Sequence, residues 1–188
     1  MDYEEQLVNV MKWMYERGLT HVRGGNASIV DRSKSIVYIT PTGKPRPLIE
    51  RNDIALITLN GEIIRGRPSS EWRMHIAIYR AIEEAKAIVH GHPRNAVALV
   101  EARASIDPEI LSEARHTMKC ITIAPYRKPG TWELADIVAE RLRESGCRAA
   151  IMERHGAVAY STESAYHALD MLEALEDLSY ITIYLKRL

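Results

Sequence analysis

Two histidines flank a glycine at the close of an apolar run, AIVHGHPRNAV (87–97). On an extended strand, positions i and i+2 project to one face, so His90 and His92 could meet a single metal ion there, with Gly91 leaving the opposite face uncrowded. Seven histidines in 188 residues give such a pair by chance about 0.26 times. The same two residues are therefore equally at home as hydrogen-bonded histidines at a strand end. A third imidazole, His155 in IMERHGAVAY, falls where one apolar stretch ends and the next begins. Gly156 follows it directly, a setting from which a loop side chain can be aimed at a sheet edge. Three histidine ligands leave one coordination position open, the arrangement of a catalytic zinc and not of a structural one. His21 and His167 read as surface or helix-face residues, and His75, one helical turn after Glu71, reads either as core filler or as a support behind the ligands.

A second chemistry is written in small polar residues. RPSSEWRMH places Ser69 and Ser70 at the expected start of a helix, where serines cap and where free backbone N–H groups and the helix dipole favour an anion. RGGNAS (23–28) and TPTGKP (40–45) put glycine beside hydroxyls and amides, which suits a concavity around phosphate oxygens and suits an ordinary turn equally well.

The elements that must hold these groups are a mixture of helices and strands. Leu7, Val10, Met11 and Met14 repeat at helical spacing over about 3–17, and Gly18 suits the stop. SIVYIT (35–40), IALITL (54–59) and EIIRG (62–66) read as strands, the last two hinged on Asn60-Gly61, a hairpin signal that predicts antiparallel pairing. A helix is predicted through SSEWRMHIAIYRAIEEA, then the strand AIVHGH, a short helix after Pro93, and the strand CITIAPY. Another helix runs from Thr131 to just before Gly146, strands RAAIM and AVAYS surround Arg154-His155-Gly156, and a last helix spans about 162–185. The pattern is α/β with at least one antiparallel pair, in one domain over 1–188.

Composition bounds what the site can be. The 25 basic and 25 acidic residues cancel, so no global field draws the chain to nucleic acid or an anionic membrane, and any anion site is local. The acidic, periodic N-terminus lacks signal-peptide character, no apolar run nears the roughly 18 residues of a span, and the chain reads as cytosolic. Cys120 and Cys147 stand far apart with no CxxC pairing, so neither a disulfide framework nor a cysteine-held zinc is expected. A sole glutamine, Gln6, beside abundant Arg, Glu and Ile, leans towards a thermophile source.

The order GGNAS … ITPTGKP … PSSEWRMH … VHGHP … APYRKPGTWEL … RHGAVA, covering about residues 5–185, resembles the class II aldolase/adducin superfamily, and most closely its L-fuculose-1-phosphate aldolase branch. The resemblance implies a three-layer α/β/α fold with a central, mainly antiparallel sheet, assembled as a cyclic homotetramer with interfacial active sites. It implies zinc on His90, His92 and His155, and Glu71 as acid/base that approaches the metal when substrate is absent. It implies a phosphate site of Asn26, Thr42, Gly43, Ser69 and Ser70. The expected reaction is reversible cleavage of a ketose 1-phosphate, L-fuculose 1-phosphate or similar, to dihydroxyacetone phosphate and a small aldehyde such as L-lactaldehyde.

Related zinc enzymes of the superfamily offer other activities, a pentulose-phosphate 4-epimerase or a methylthioribulose-phosphate dehydratase, and a catalytically silent adducin-like module would lack the metal ligands. Two departures bear on specificity. Where family aldolases supply a proton-donating tyrosine from a neighbouring subunit, this sequence reads His116-Thr117 within ARHTMKC, leaving His116, Tyr126 or neither for that task. The sequence also ends at Leu188, short of the longer tail that borders the aldehyde side in well-known relatives.

Overall fold

A computed structural model describes residues 2–186. Its centre is an eight-stranded sheet in the order β4-β3-β2-β1-β5-β8-β7-β6. The strands are β1 (Asn26–Asp31), β2 (Ile36–Ile39), β3 (Ala55–Thr58), β4 (Ile63–Arg65), β5 (Ala87–Gly91), β6 (Ile121–Ala124), β7 (Ala149–Met152) and β8 (Gly156–Ser161). Every neighbouring pair is antiparallel except β6 with β7, so the mixed α/β pattern resolves into the mainly antiparallel sheet that the resemblance implies.

The period-2 alternation of strands splits the core into two layers. Ala27, Ile29, Ala87, Val89, Ala149, Ile151, Ala157 and Ala159 face one apolar cluster. It is completed by α1 (Tyr3–Glu16), α3 (Arg94–Glu101), α4 (Ser112–Met118) and α6 (Ala165–Leu185). Val30, Val37, Ile57, Ile88, Ala150, Met152 and Val158 face the other, under α2 (Trp72–Ala81) and α5 (Trp132–Ser145). Each fully buried Leu, Ile or Met contributes roughly 1.5–3 kcal/mol, so the two clusters hold the sheet between helical layers on both faces.

Most expected elements appear where the sequence places them. Asp2 caps α1 through the Glu4 and Glu5 amides, and Thr131 caps α5, which stops at the left-handed Gly146. Asn60 and Gly61 turn between β3 and β4. Two local expectations need correction, and one element was not expected. The segment RGGNAS is not wholly a loop, because β1 begins within it at Asn26 and becomes a central strand. The helix predicted through residue 85 ends at Ala81, where the Arg32 guanidinium donates to the carbonyls of Tyr79, Ile82 and Ala85 and draws the chain into a turn. The short helix α4 lies in a stretch that carried no expectation.

The cysteine expectation is overturned as well. Cys120 and Cys147 form a disulfide, 27 residues apart. Cys120 lies one residue and Cys147 two residues before the starts of the two parallel strands, which pair as Ile121 with Ala149. The crossover through α5 returns the chain beside its origin, so sequence separation says nothing of spatial separation. Closing a loop of this length restricts the unfolded chain by about 3.5 kcal/mol in the entropy model. Cys120→Ser is therefore expected to lower the melting temperature, and calorimetry with and without reductant should show the parent chain falling to the variant's value while the variant does not move.

Candidate metal centre and anion pocket

The central strands deliver the three histidines. His90 lies on β5 opposite Asn26 of β1 and Val158 of β8, His92 just beyond the end of β5, and His155 in the tight turn from β7 to β8, where Arg154 adopts φ 57°. Their rings are neighbours, with centroids 5.0 Å apart for His90 and His92, 4.8 Å for His90 and His155, and 5.6 Å for His92 and His155. One nitrogen from each falls within 4.8 Å of the other two.

Close approach of the strands is possible only because of glycine. A Cβ on Gly156 would lie 2.2 Å from Gly91 O and 2.9 Å from the His92 ring, and one on Gly91 would meet Leu172, Met14 and the Leu19 carbonyl at 2.8–2.9 Å. The uncrowded face expected at Gly91 is thus filled by helices and admits no side chain.

The imidazoles are prepared as ligands. His90 Nδ1–H donates to Ala157 O at 3.0 Å, which leaves the Nε2 lone pair free, and His92 Nδ1 lies 3.3 Å from Thr20 Oγ1. His155 Nδ1 is buried with no hydrogen-bond partner among the described residues, an unmet need that metal coordination would satisfy. Burial, reinforced by the neighbouring imidazoles, pushes His90 well below its ordinary pKa and His92 to about 4, and burial lowers His155 too. All three are neutral donors at pH 7, the form that binds metal. A set of three neutral nitrogens with two anchored rings fits a divalent ion of the zinc type.

Beside them is a cavity of about 140 Å³ lined by Arg23, Gly24, Gly25, Asn26, Thr42, Arg46, Ser69, Ser70, Glu71 and the three histidines. Five of the six expected substrate and acid/base residues therefore meet the histidines in one place; Gly43 is exposed one residue outside the lining. Glu71 lines the cavity beside the three-histidine group without being part of it. Desolvation raises its pKa, opposed by a backbone hydrogen bond from Gly130. Ser69 accepts from the Glu71 amide at 3.2 Å, and Glu71 itself occupies the N-cap position, so the serines precede the helix instead of capping it.

Sequence reasoning missed Thr20 and Arg46. The buried Arg46 guanidinium donates to the carbonyls of Gly24, Arg23 and Pro41, tying the 23–25 loop to the 40–42 segment so that two walls of the cavity move as one. No local pattern marks an arginine for such a task. His21 is exposed as expected, yet its ring meets His92 edge-on at 5.0 Å. His116 and Tyr126 are exposed and line no part of the cavity, while the Thr117 hydroxyl donates within its helix to Glu113 O. Among the described residues no helix is long and apolar enough to cross a membrane.

Comparison with known proteins agrees with this geometry. Residues 5–183 match the class II aldolase and adducin N-terminal domain. The L-fuculose phosphate aldolase of Methanococcus maripaludis is 33% identical over 191 residues, 99% of this chain and 100% of that one. The 5-deoxy-D-ribulose 1-phosphate aldolase of Bacillus thuringiensis is 33% identical over 159 residues, 82% of this chain and 72% of that one. A solved L-fuculose 1-phosphate aldolase superposes with a TM-score of 0.90 at 31% identity, covering 99% of this chain and 87% of that chain.

Removal of one ligand should leave too few donors. His92→Ala is expected to retain the fold but lose bound zinc, and Thr20→Val, which only frees the His92 ring, to weaken zinc binding about tenfold; metal analysis after dialysis against graded chelator measures both. Stoichiometric, tightly held zinc in His92→Ala would remove His92 from the site.

Proposed function

The chain belongs to the class II aldolase and adducin family, and within it to aldolases of the fuculose-phosphate type; from that premise we propose that it cleaves a ketose 1-phosphate reversibly, with zinc as its metal. The products of the proposed reaction are dihydroxyacetone phosphate and a small aldehyde, with L-fuculose 1-phosphate and L-lactaldehyde as the leading pair. The observation that carries the reading is the sharing of one cavity by His90, His92 and His155 on one side and by Asn26, Thr42, Ser69 and Ser70 on the other.

The division of labour follows from what each group can do. Zinc held by the three histidines supplies Lewis-acid stabilisation of negative charge on the substrate's oxygens. Asn26, Thr42 and the two serines bind the phosphate end, so that binding energy far from the breaking C3–C4 bond orients the reacting carbons. Arg46 keeps the backbone walls of that pocket in fixed relation. Glu71 moves the proton at the carbon that becomes nucleophilic in the condensation direction. Its burial supports the assignment, because a raised pKa brings a carboxyl nearer the working range of a general base.

A cyclic homotetramer in the cytosol, with active sites between subunits, completes the proposal. It would bring the proton donor for the aldehyde oxygen from a neighbouring subunit, since neither His116 nor Tyr126 of the same chain lines the cavity. The Cys120–Cys147 disulfide suits a cytosolic protein of a thermophile, where intracellular disulfides are common.

A coupled assay that detects dihydroxyacetone phosphate tests the reaction on L-fuculose 1-phosphate and 5-deoxy-D-ribulose 1-phosphate, the second chosen for the relative that bears its name. Product analysis on ribulose 5-phosphate tests for 4-epimerisation, and turnover there without aldol cleavage would overturn the aldolase proposal. Glu71→Gln should keep inorganic phosphate affinity within about twofold while slowing hydrogen exchange on dihydroxyacetone phosphate by about 100-fold or more. Unchanged exchange removes Glu71 from proton transfer.

A further inference from the structure

We propose that a buried, one-way chain of hydrogen bonds from Tyr79 through Ser28 and His75 to Asn26 turns both N–H bonds of the Asn26 amide towards the histidine cavity, making His75 a positioning residue for a bound oxyanion. The geometry is a ladder between two elements. Asn26 and Ser28 are two apart on β1 and share its α2 side; His75 and Tyr79 are four apart on α2 and share one face. Tyr79 Oη lies 2.8 Å from Ser28 Oγ, Ser28 Oγ 2.6 Å from His75 Nδ1, and His75 Nε2 2.5 Å from Asn26 Oδ1. Ser28 and His75 are 0% exposed, Tyr79 1% and Asn26 3%.

Direction follows from counting protons. Burial raises the Tyr79 pKa, so the phenol keeps its hydrogen, and among the described residues its hydroxyl meets only Ser28. Were the chain reversed, Ser28 would donate to Tyr79 and the phenol hydrogen would be buried without an acceptor, the costlier arrangement. Tyr79 therefore donates to Ser28, and Ser28 passes its own hydrogen to His75 Nδ1. Burial holds His75 neutral, with its pKa lowered to about 3, so the ring has one N–H. That hydrogen sits on Nε2 and donates to Asn26 Oδ1.

The amide carbonyl is thereby committed inward, and the amide nitrogen bonds to no protein group among the described residues. Asn26 lines the cavity, so it offers donors alone to whatever binds there. An oxyanion matches such a wall and a cation does not. Phosphate as the occupant rests on the aldolase reading; the direction of the chain does not.

Long-range proton–nitrogen correlation on the full chain with ¹⁵N-labelled histidine reads the tautomer directly, the His75 signals being those lost in His75→Gln. Protonation at Nε2 with a bare Nδ1 is expected, and protonation at Nδ1 overturns the proposal. Tyr79→Phe keeps the ring but removes the donor that sets the direction. It should weaken inorganic phosphate binding by about fivefold, the equivalent of one neutral hydrogen bond, and have no further effect in an Asn26→Ala background. Failure of the parent chain to bind phosphate, an unaltered affinity in Tyr79→Phe, or the same loss with and without Asn26 would each overturn it. A protein with the expected tautomer and coupling that cleaves no ketose 1-phosphate loses the aldolase assignment and keeps this one.

Discussion

Burying three imidazoles side by side is unfavourable for any charged form, and the fold meets that cost by keeping them neutral and packing the strands that carry them unusually close. The contact at its root is glycine against glycine. Gly91 O occupies the space where a Cβ of Gly156 would be, so β5 and β8 can end together and aim His90, His92 and His155 at one another. Helices press on the far side of Gly91 through Met14 and Leu172, so the histidine face is shaped from behind by the larger apolar cluster. Stability and site geometry are thus the same packing problem: a bulkier residue at either glycine would have to move a strand, a ring, or both.

Much of this was legible in the sequence because it depends on local rules. The HxH pair at a strand end, the Asn60-Gly61 turn, the Thr131 cap and the Gly146 stop each state their own geometry within a few residues. The resemblance added the grouping of Asn26, Thr42, Ser69 and Ser70 with the histidines, which spacing alone left open. What stayed hidden depends on contacts between distant segments. The start of β1 looked like a glycine-rich loop because Asn26 and Ser28 are polar where a buried strand would ordinarily be apolar. They are polar because His75 and Tyr79 answer them across the layer. Arg32 shortening α2 and Arg46 bridging two loops are likewise acts of side chains reaching backbone 5 to 53 residues away, and Cys120 finds Cys147 only once the β6–α5–β7 crossover has formed.

An overall charge of zero gives this chain no field with which to gather an anionic substrate, so selectivity has to be local and built from oriented dipoles. The cavity agrees. The donors proposed for the anion are an amide and hydroxyls, while of the two arginines among the lining residues the buried Arg46 spends its hydrogen bonds on backbone carbonyls and Arg23 is exposed. Neutral donors held rigidly have an advantage over flexible cations, because their orientation is settled by folding and little freedom remains to be lost on binding.

The two halves of the cavity are also kept in register by the backbone. Asn26 of β1 stands opposite His90 of β5 in the antiparallel ladder, so the residue proposed for the anion and the residue proposed for the metal belong to one cross-strand pair. Their separation is then a property of the sheet, insensitive to rotamer changes elsewhere. His75 extends that register into α2, the helix that starts from Glu71. The proposed metal ligand, anion donor and acid/base are consequently fixed to one another through a single strand pair and a single helix, which is the arrangement required if a substrate anchored at one end is to present its reacting carbons at the other within a fraction of an ångström.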